Sequence, residues 1–369
     1  MKAPYPALGR DDGIAFSLQS FGYCVTGNTG NFAQSNSLYQ YDPRSNLWIK
    51  KSSFPSEARQ YSTVFTIENK AYIIGGYSKS GNGLAEVWCY DAASDSWTQK
   101  NNFTGGIRWG AIGFTIAGMG YFGCGTDADT VYNDFWEYEP LTDKWNQLEN
   151  LIGEPRREAV ACSAAGFGMA GTGFKTFTTE GFLNDWYTFD PKLKQWAKAP
   201  NYPGGNIAWG KAESNGHSAI VGSGMDENQI FKSDFYQFNI LSRTWQKLQN
   251  IPVGPVRGCS SFRLDNSVYF VTGLTELYER SKALTALKFE PNDFSVNLFP
   301  NPSSGCFHFS SNSGQSNTTI KVYNMAGELI EKRQSKSDLL NFTHLKSGLY
   351  LLEFTNESGD SDLKKVIIL

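Results

Sequence analysis

Five arginines are the residues whose spacing in this 369-residue chain first suggests chemistry. Arg10, Arg59, Arg108, Arg157 and Arg257 fall at intervals of 49, 49, 49 and 100 residues, and Ala208 stands where a sixth is due. A guanidinium is a planar fork of donors matched to a carboxylate or sulfate, so arginines gathered at one point would form an anion site. Trp109 and Trp209 directly follow Arg108 and Ala208 and would add faces for stacking on a sugar or peptide. The competing role is structural. Each arginine would pair with a carboxylate of a neighbouring repeat, for example Glu57, Asp134, Asp185 or Asp234, and fix the repeat spacing. Recurrence in nearly every copy favours that role, because function usually breaks symmetry.

Other chemistry is sparse. The histidines are His217, His308 and His344, too few and too scattered for a Ser-His-Asp or Cys-His arrangement, and no catalytic residue is assigned. Cys24, Cys89, Cys124, Cys162, Cys259 and Cys306 form no CxxC pair, which argues against zinc. Most lie in apolar stretches such as Tyr23-Cys24-Val25 and read as buried free thiols. Gly118–Gly123 and Gly166–Gly171 match GxGxxG, but in hairpins, whereas a dinucleotide site needs a strand-to-helix turn. Asp127, Asp129, Asp226 and Glu227 sit in loops without a full calcium ligand set. No metal and no cofactor is expected. A net charge of −3 gives no basic field for nucleic acid. No apolar run reaches the roughly 18 residues of a membrane-spanning helix.

The elements that must position these residues are repeated. Trp48, Trp97, Trp145, Trp196 and Trp245 are separated by 49, 48, 51 and 49 residues, each seven after an aromatic in a segment such as YQYDPRSNLW or WCYDAASDSW. A third marker pairs an aromatic with a glycine four residues on: Tyr23/Gly27, Tyr72/Gly76, Tyr121/Gly125, Phe167/Gly171 and Tyr269/Gly273, with Ser218/Gly222 in the fifth repeat. Each unit reads as four short strands bounded by turn clusters such as Glu68-Asn69-Lys70. A four-stranded unit of about 50 residues with Gly75-Gly76, Tyr90 and Trp97 resembles the kelch repeat. The resemblance implies an all-β fold, a six-bladed propeller over residues 1–292, in which neighbouring blades cover both faces of each sheet. It also places the start of each first strand, and so the arginines, beside a central channel. Six-bladed sialic-acid mutarotases and binders of acidic peptides are similar in using channel-mouth arginines. A copper-radical oxidase, also built on kelch repeats, needs two His and two Tyr ligands. His217 is the one histidine of the repeats and is expected to pack in the core. The sixth repeat lacks its Trp-bearing strand, and Met1–Pro6 reads as the tail of such a strand, with the natural chain expected to begin upstream.

From residue 293 the pattern changes. Alternating apolar segments VNLFPNPSSGCFHFS, IKVYNMAGELI, LNFTHLKSGLYLLEF and KKVIIL predict a small β-sandwich over 293–369. Pro300-Asn301-Pro302 before Gly305, Val322-Tyr323-Asn324 before Gly327, and Gly348-x-Tyr350 resemble the type A sorting domain of the type IX secretion system of Bacteroidetes. That resemblance implies the secretion machinery as a partner and a secreted or outer-surface address, although residues 1–20 hold no signal sequence. The expected function is a binding module for a glycan or protein. The alternative is a sugar-modifying enzyme of the mutarotase or lyase type using channel arginines. The loops between second and third strands, with Phe174, Phe177 and Phe182, are a further candidate surface.

Overall fold

The computed structural model describes all residues except 1, 31–32, 177–180, 241, 251–253, 266, 272, 276–283, 289–295, 312–316, 325–327, 336 and 358–360. The chain divides into two units, Met1–Lys288 and Phe289–Leu369. The boundary expected at 292/293 lies outside the described residues.

The first unit repeats one antiparallel sheet. Blade 1 comprises Ile14–Leu18, Phe21–Val25, Leu38–Asp42 and Leu47–Lys51 in that spatial order, and blades 2 to 5 repeat it. In blade 6 the described strands are Ser260–Leu264, Ser267–Val271 and Leu284–Lys288. The recurring tryptophan faces an aromatic across the strand pair: Tyr41 and Trp48, Tyr90 and Trp97, and Tyr138 and Trp145 are in register, with ring centroids 5.1, 4.8 and 4.7 Å apart. Such pairs each contribute about 0.5–1.5 kcal/mol beyond their burial. Between blades the fit is tight. A Cβ on Gly120 or Gly168 would sit 2.4 Å from the ring of Phe65 or Phe114 in the preceding blade, which explains the middle glycine of each GxGxxG match. Residues 3–5 take the place that residues 52–54 hold elsewhere. Trp48 donates to the carbonyl of Ala3 at 3.1 Å, as Trp97 donates to that of Ser52 at 2.9 Å, and Tyr5 packs between blades 6 and 1.

Two layers of backbone hydrogen bonds join the blades. In the first, the glycine after each second strand donates to the residue that opens the next blade: Gly27 to Arg59, Gly76 to Arg108, Gly125 to Arg156, Gly173 to Ile207, Gly224 to Val256 and Gly273 to Arg10, at 2.7–2.9 Å. All six glycines have positive φ, where a side chain would be strained. The marker glycines of blades 4 and 5 are therefore Gly173 and Gly224, not Gly171 and Gly222. The second layer, nearer the axis, runs head to tail from Asp12 to Gly258, Trp209, Glu158, Gly110, Tyr61 and back to Asp12, at 2.8–3.1 Å. It closes the ring.

The same alignment corrects the arginine series. Arg10, Arg59, Arg108 and Arg156 share one position, each donating through Nη1 to a carbonyl sixteen residues on: Thr26, Gly75, Cys124 and Thr172. Ile207 and Val256 fill the position in blades 5 and 6. Arg157 and Arg257 belong one residue later, beside Ala208, so the five predicted guanidiniums do not form one ring. The four in-register arginines are buried, with 0–1% relative exposure. Arg108 grips Asp134 through two bonds of 2.6 and 3.0 Å, Arg156 grips Asp185 at 2.7 and 2.8 Å, and Arg59 meets Glu86 at 2.6 Å. These carboxylates belong to the same blade as their arginine. Glu57 offers Arg59 only its carbonyl.

In the second unit, Val296–Phe299, Cys306–Ser311 and Leu339–Asn341 form one sheet. Leu329–Ser335, Thr318–Tyr323, Gly348–Thr355 and Ser361–Ile368 form the other, in that order. The alternating residues Phe307, Phe309, Ile320, Val322, Leu352 and Phe354 fill the core between them. The Pro-Asn-Pro turn holds the last strand. The Asn301 amide donates to the carbonyl of Lys365 at 2.7 Å and accepts from the Ile367 N–H at 2.9 Å, standing in for backbone pairing.

Truncating one partner of a buried ion pair strands the other charge. Arg156→Ala is therefore expected to lower the unfolding free energy of the propeller by about 3–5 kcal/mol. Arg10→Ala, whose partner is the neutral Ser37 at 3.0 Å, should cost clearly less. Urea denaturation of the two variants beside the parent measures the difference.

Candidate functional site: the axial channel

The inner hydrogen-bond ring sets the geometry of the channel. Its six members, Asp12, Tyr61, Gly110, Glu158, Trp209 and Gly258, all adopt φ of 51–61°. Four of them carry side chains in a conformation that favours glycine, which locates strain on the axis. The two glycines make room. A Cβ on Gly110 would meet the Glu158 carboxylate at 2.4 Å, and one on Gly258 would meet that of Asp12 at 2.3 Å. Two carboxylates therefore fold over the ring beside Tyr61, around a space of about 70 Å³ that Lys211 also lines.

Burial dominates the electrostatics here. The Glu158 carboxyl is pushed up to about 7 by desolvation, which the charges of Arg157, Lys211 and Arg257 only partly oppose. Among the described residues its Oε1 is buried without a hydrogen-bond partner. Asp12 is raised well above the usual carboxylate range, first by burial and then by the charge of Asp11. The Tyr61 hydroxyl is raised by the same burial and by Asp12. A carboxyl that titrates near neutrality can hold or release a proton at physiological pH.

Just outside the ring lie the residues that share the position of Arg157 and Arg257. Arg257 approaches Asp12 and Asp11 at 3.7 and 4.0 Å and stands 5.1 Å from the ring of Trp209. Arg157 lies 4.2 Å from the ring of Phe174, which packs on Phe182 and Trp209 at 5.3 and 4.9 Å. Two cations of blades 4 and 6 thus flank an aromatic platform around blade 5, where Ala208 leaves the intervening position small. Trp209 is half-buried. Trp109 is 8% exposed, packed on Tyr77 at 5.1 Å and against Gly83, so it offers no stacking face.

The remaining expectations divide. Arg10, Arg59 and Arg108 are drawn out of the site into the blades. His217, expected in the core, is exposed in the turn after Lys211–Ser214. Phe174 and Phe182 are buried in the platform and not exposed, and Phe177 lies outside the described residues. Asp127 caps its own turn, accepting from the N–H of Asp129 and Thr130 and from Tyr132. Asp226 does likewise and pairs with Lys232 at 2.6 Å. All six cysteines are free thiols, five of them buried. Asp12, Tyr61 and Glu158 were missed, because aligning the repeats on arginine hid the position two residues further on.

Residues 16–170 match the family model described as the KLHDC2/KLHL20/DRC7 Kelch-repeats domain. Residues 297–369 match that of the Secretion system C-terminal sorting domain. No curated protein matches the sequence. A solved structure titled "Structure of YjhT" is similar with a TM-score of 0.67 and 15% identity, over 79% of this chain and 98% of that one. At that identity the likeness is one of fold. Chains of known structure that match number 590, and a fold so widely used does not select a ligand.

The raised carboxyls give stability a pH dependence. A group whose pKa is higher folded than unfolded contributes stability below its unfolded value and loses it as pH rises. For Glu158 that window runs from its ordinary 4.5 to about 7. Glu158→Gln removes the proton binding. The melting temperature of the parent relative to this variant should fall as pH is raised from 4.5 to 7.5 and stay level above, as read by thermal denaturation across that range.

Proposed function

Because the chain is a kelch-repeat β-propeller that ends in a type IX secretion sorting domain, we propose that it is an exported binding protein whose channel mouth takes an anionic ligand. The address is secreted or outer-surface, and the sorting domain engages the type IX secretion machinery. The ligand is an acidic glycan or an acidic segment of a protein. One observation carries this reading. The arginines that repeat faithfully lie buried inside the blades, whereas Arg157 and Arg257 depart from the repeat, Arg257 standing beside half-buried Trp209 and Arg157 against Phe174, on which Trp209 packs. A guanidinium beside an aromatic face suits a carboxylate attached to a ring or a peptide plane. Arg257 meets its two carboxylates, Asp12 and Asp11, only at 3.7 and 4.0 Å, and burial raises Asp12 well above the usual carboxylate range.

A second reading, a sugar-modifying enzyme of the mutarotase or lyase type, draws on Glu158. A carboxyl near 7 behind two arginines is suited to general acid or base work. The two readings separate on turnover. Conversion of an acidic sugar that Glu158→Gln abolishes, with binding retained, would favour the enzyme.

For the binding reading, each charge-assisted hydrogen bond contributes about 1.5–3 kcal/mol, so Arg257→Ala should weaken an acidic ligand by about ten- to a hundredfold. Trp209→Ala should also weaken it, and Arg157→Ala should resemble Arg257→Ala. Calorimetric titration of the full chain with acidic saccharides and acidic peptides reads the affinities. An unchanged affinity in both arginine variants would remove the mouth from consideration.

A further inference from the structure

On the other side of the inner ring the channel widens into a cavity of about 620 Å³, reaching the turns after the first strands. Small-molecule sites span roughly 300–1,000 Å³. Strand alternation builds its wall. In blades 1 to 4 every second residue of the first strand turns into the blade interface, and the others face the axis. Nearer the ring these are small, among them Gly113 and Ala161. Further out they form a polar layer of Ser17, Thr66, Thr115, Ser163, Ser214 and, in blade 6, Arg263. Thr115 donates its hydroxyl proton to the carbonyl of Thr66 at 2.8 Å, Ser163 to that of Thr115 at 2.7 Å, and Ser17 to that of Arg263. With those protons committed to blade contacts, the oxygens present acceptor lone pairs.

Blade 5 breaks the pattern. Its first strand reads Lys-Ala-Glu-Ser, and its register with Ser218–Gly222 aligns Lys211 with Ile14, and Glu213 with Phe16. Corresponding places in blades 2, 3 and 6 hold Phe65, Phe114 and Phe262. An aromatic there would contribute about 1.5–3 kcal/mol by burial, so ring closure alone does not account for charges. Ser261 donates to Glu213 at 2.7 Å, and desolvation raises the Glu213 carboxyl. Lys211 and Arg263 both act on Glu213 electrostatically, yet among the described residues neither makes an ion pair. The other charge near Arg263 is Asp265, exposed at the rim. The cavity wall therefore carries two cations that, among the described residues, have no carboxylate within ion-pair distance: Arg263 within the layer of acceptors and Lys211 nearer the ring.

We propose that this cavity is a second binding site, for a small polyhydroxylated carboxylate of one or two sugar rings, with Arg263 and Lys211 on the carboxylate and the Ser and Thr oxygens accepting from its hydroxyls. Lys211 lines the ring space as well, but Arg263 lines this cavity alone, and the proposal stands whether or not the mouth binds.

The test is calorimetric titration of the full chain with glucuronate and with glucose. Glucuronate should bind, and glucose at least tenfold more weakly. The variants are read in an Arg257→Gln background, which removes any contribution of the mouth; there Arg263→Gln should weaken glucuronate at least tenfold and Arg263→Lys should retain most of the affinity. The blade contact at residue 263 uses the backbone carbonyl, so these variants keep it, and unchanged melting temperatures verify folding. Lys211→Met repeats the test from the neighbouring blade if Arg263→Gln fails to fold. The proposal is overturned if the folded parent binds neither sugar, if glucuronate binds equally after Arg263→Gln, or if Arg257→Gln alone removes binding.

Discussion

The closed circuit of six backbone hydrogen bonds around the axis is the constraint on which the rest of the propeller depends. Each blade donates one and accepts one, so no blade can shift without breaking two. The circuit requires left-handed backbone at six positions, and only two of them are glycine. Strain of this kind persists only where the surroundings over-determine it. Here they do. A parallel layer of glycine-to-blade bonds lies outside the circuit, and the interdigitated Phe and Gly columns of neighbouring blades pack against it.

That arrangement explains where the arginines go. The residue opening each blade gives its carbonyl to the previous blade, which fixes its backbone and sends its side chain into its own sheet. A long cation there needs a carbonyl, a carboxylate and an aromatic cover. Arg59 finds all three in Gly75, Glu86 and Phe54, and Arg108 in Cys124, Asp134 and Phe103. One residue later the chain faces the mouth, and two residues later it is the ring itself. Three consecutive positions thus have three destinies, and a shift of one residue converts a structural cation into one at the channel.

This is why the sequence revealed the propeller clearly and its site poorly. Trp spacing, the acidic turn before each Trp and the repeated glycines report on packing within a blade, which every copy must solve alike. Channel residues are set by register, and blade 4 is one residue short between Arg108 and Arg156. Arginine occurs at both 156 and 157, so the period of 49 selected the wrong one. The third marker drifted in the same blade, because Phe167 and Gly171 imitate the spacing of Met169 and Gly173. His217 failed for a related reason: in Asn215-Gly216-His217 the turn takes a residue that periodicity assigned to the strand. The C-terminal sandwich was legible in outline because its motif residues do local work, as Asn301 does in clasping the last strand.

The departures from symmetry are the most informative part of the channel. Blades 1 to 3 keep the repeated inner strand, apolar toward the blade interfaces and bearing hydroxyls toward the axis, and their ring positions hold Asp12, Tyr61 and Gly110. Blades 4 to 6 carry further departures. Glu158 brings a carboxyl to the ring, Trp209 an aromatic, Lys211 and Glu213 charges at interface positions, and Arg257 and Arg263 a cation at each end. Buried charge is destabilising unless compensated, and stability alone would have returned these places to the repeat. With Asp12 of blade 1 they lie on both sides of the hydrogen-bond circuit. The closed circuit, to which every blade contributes, supplies the rigidity that holds these charges where a less constrained channel would solvate or bury them.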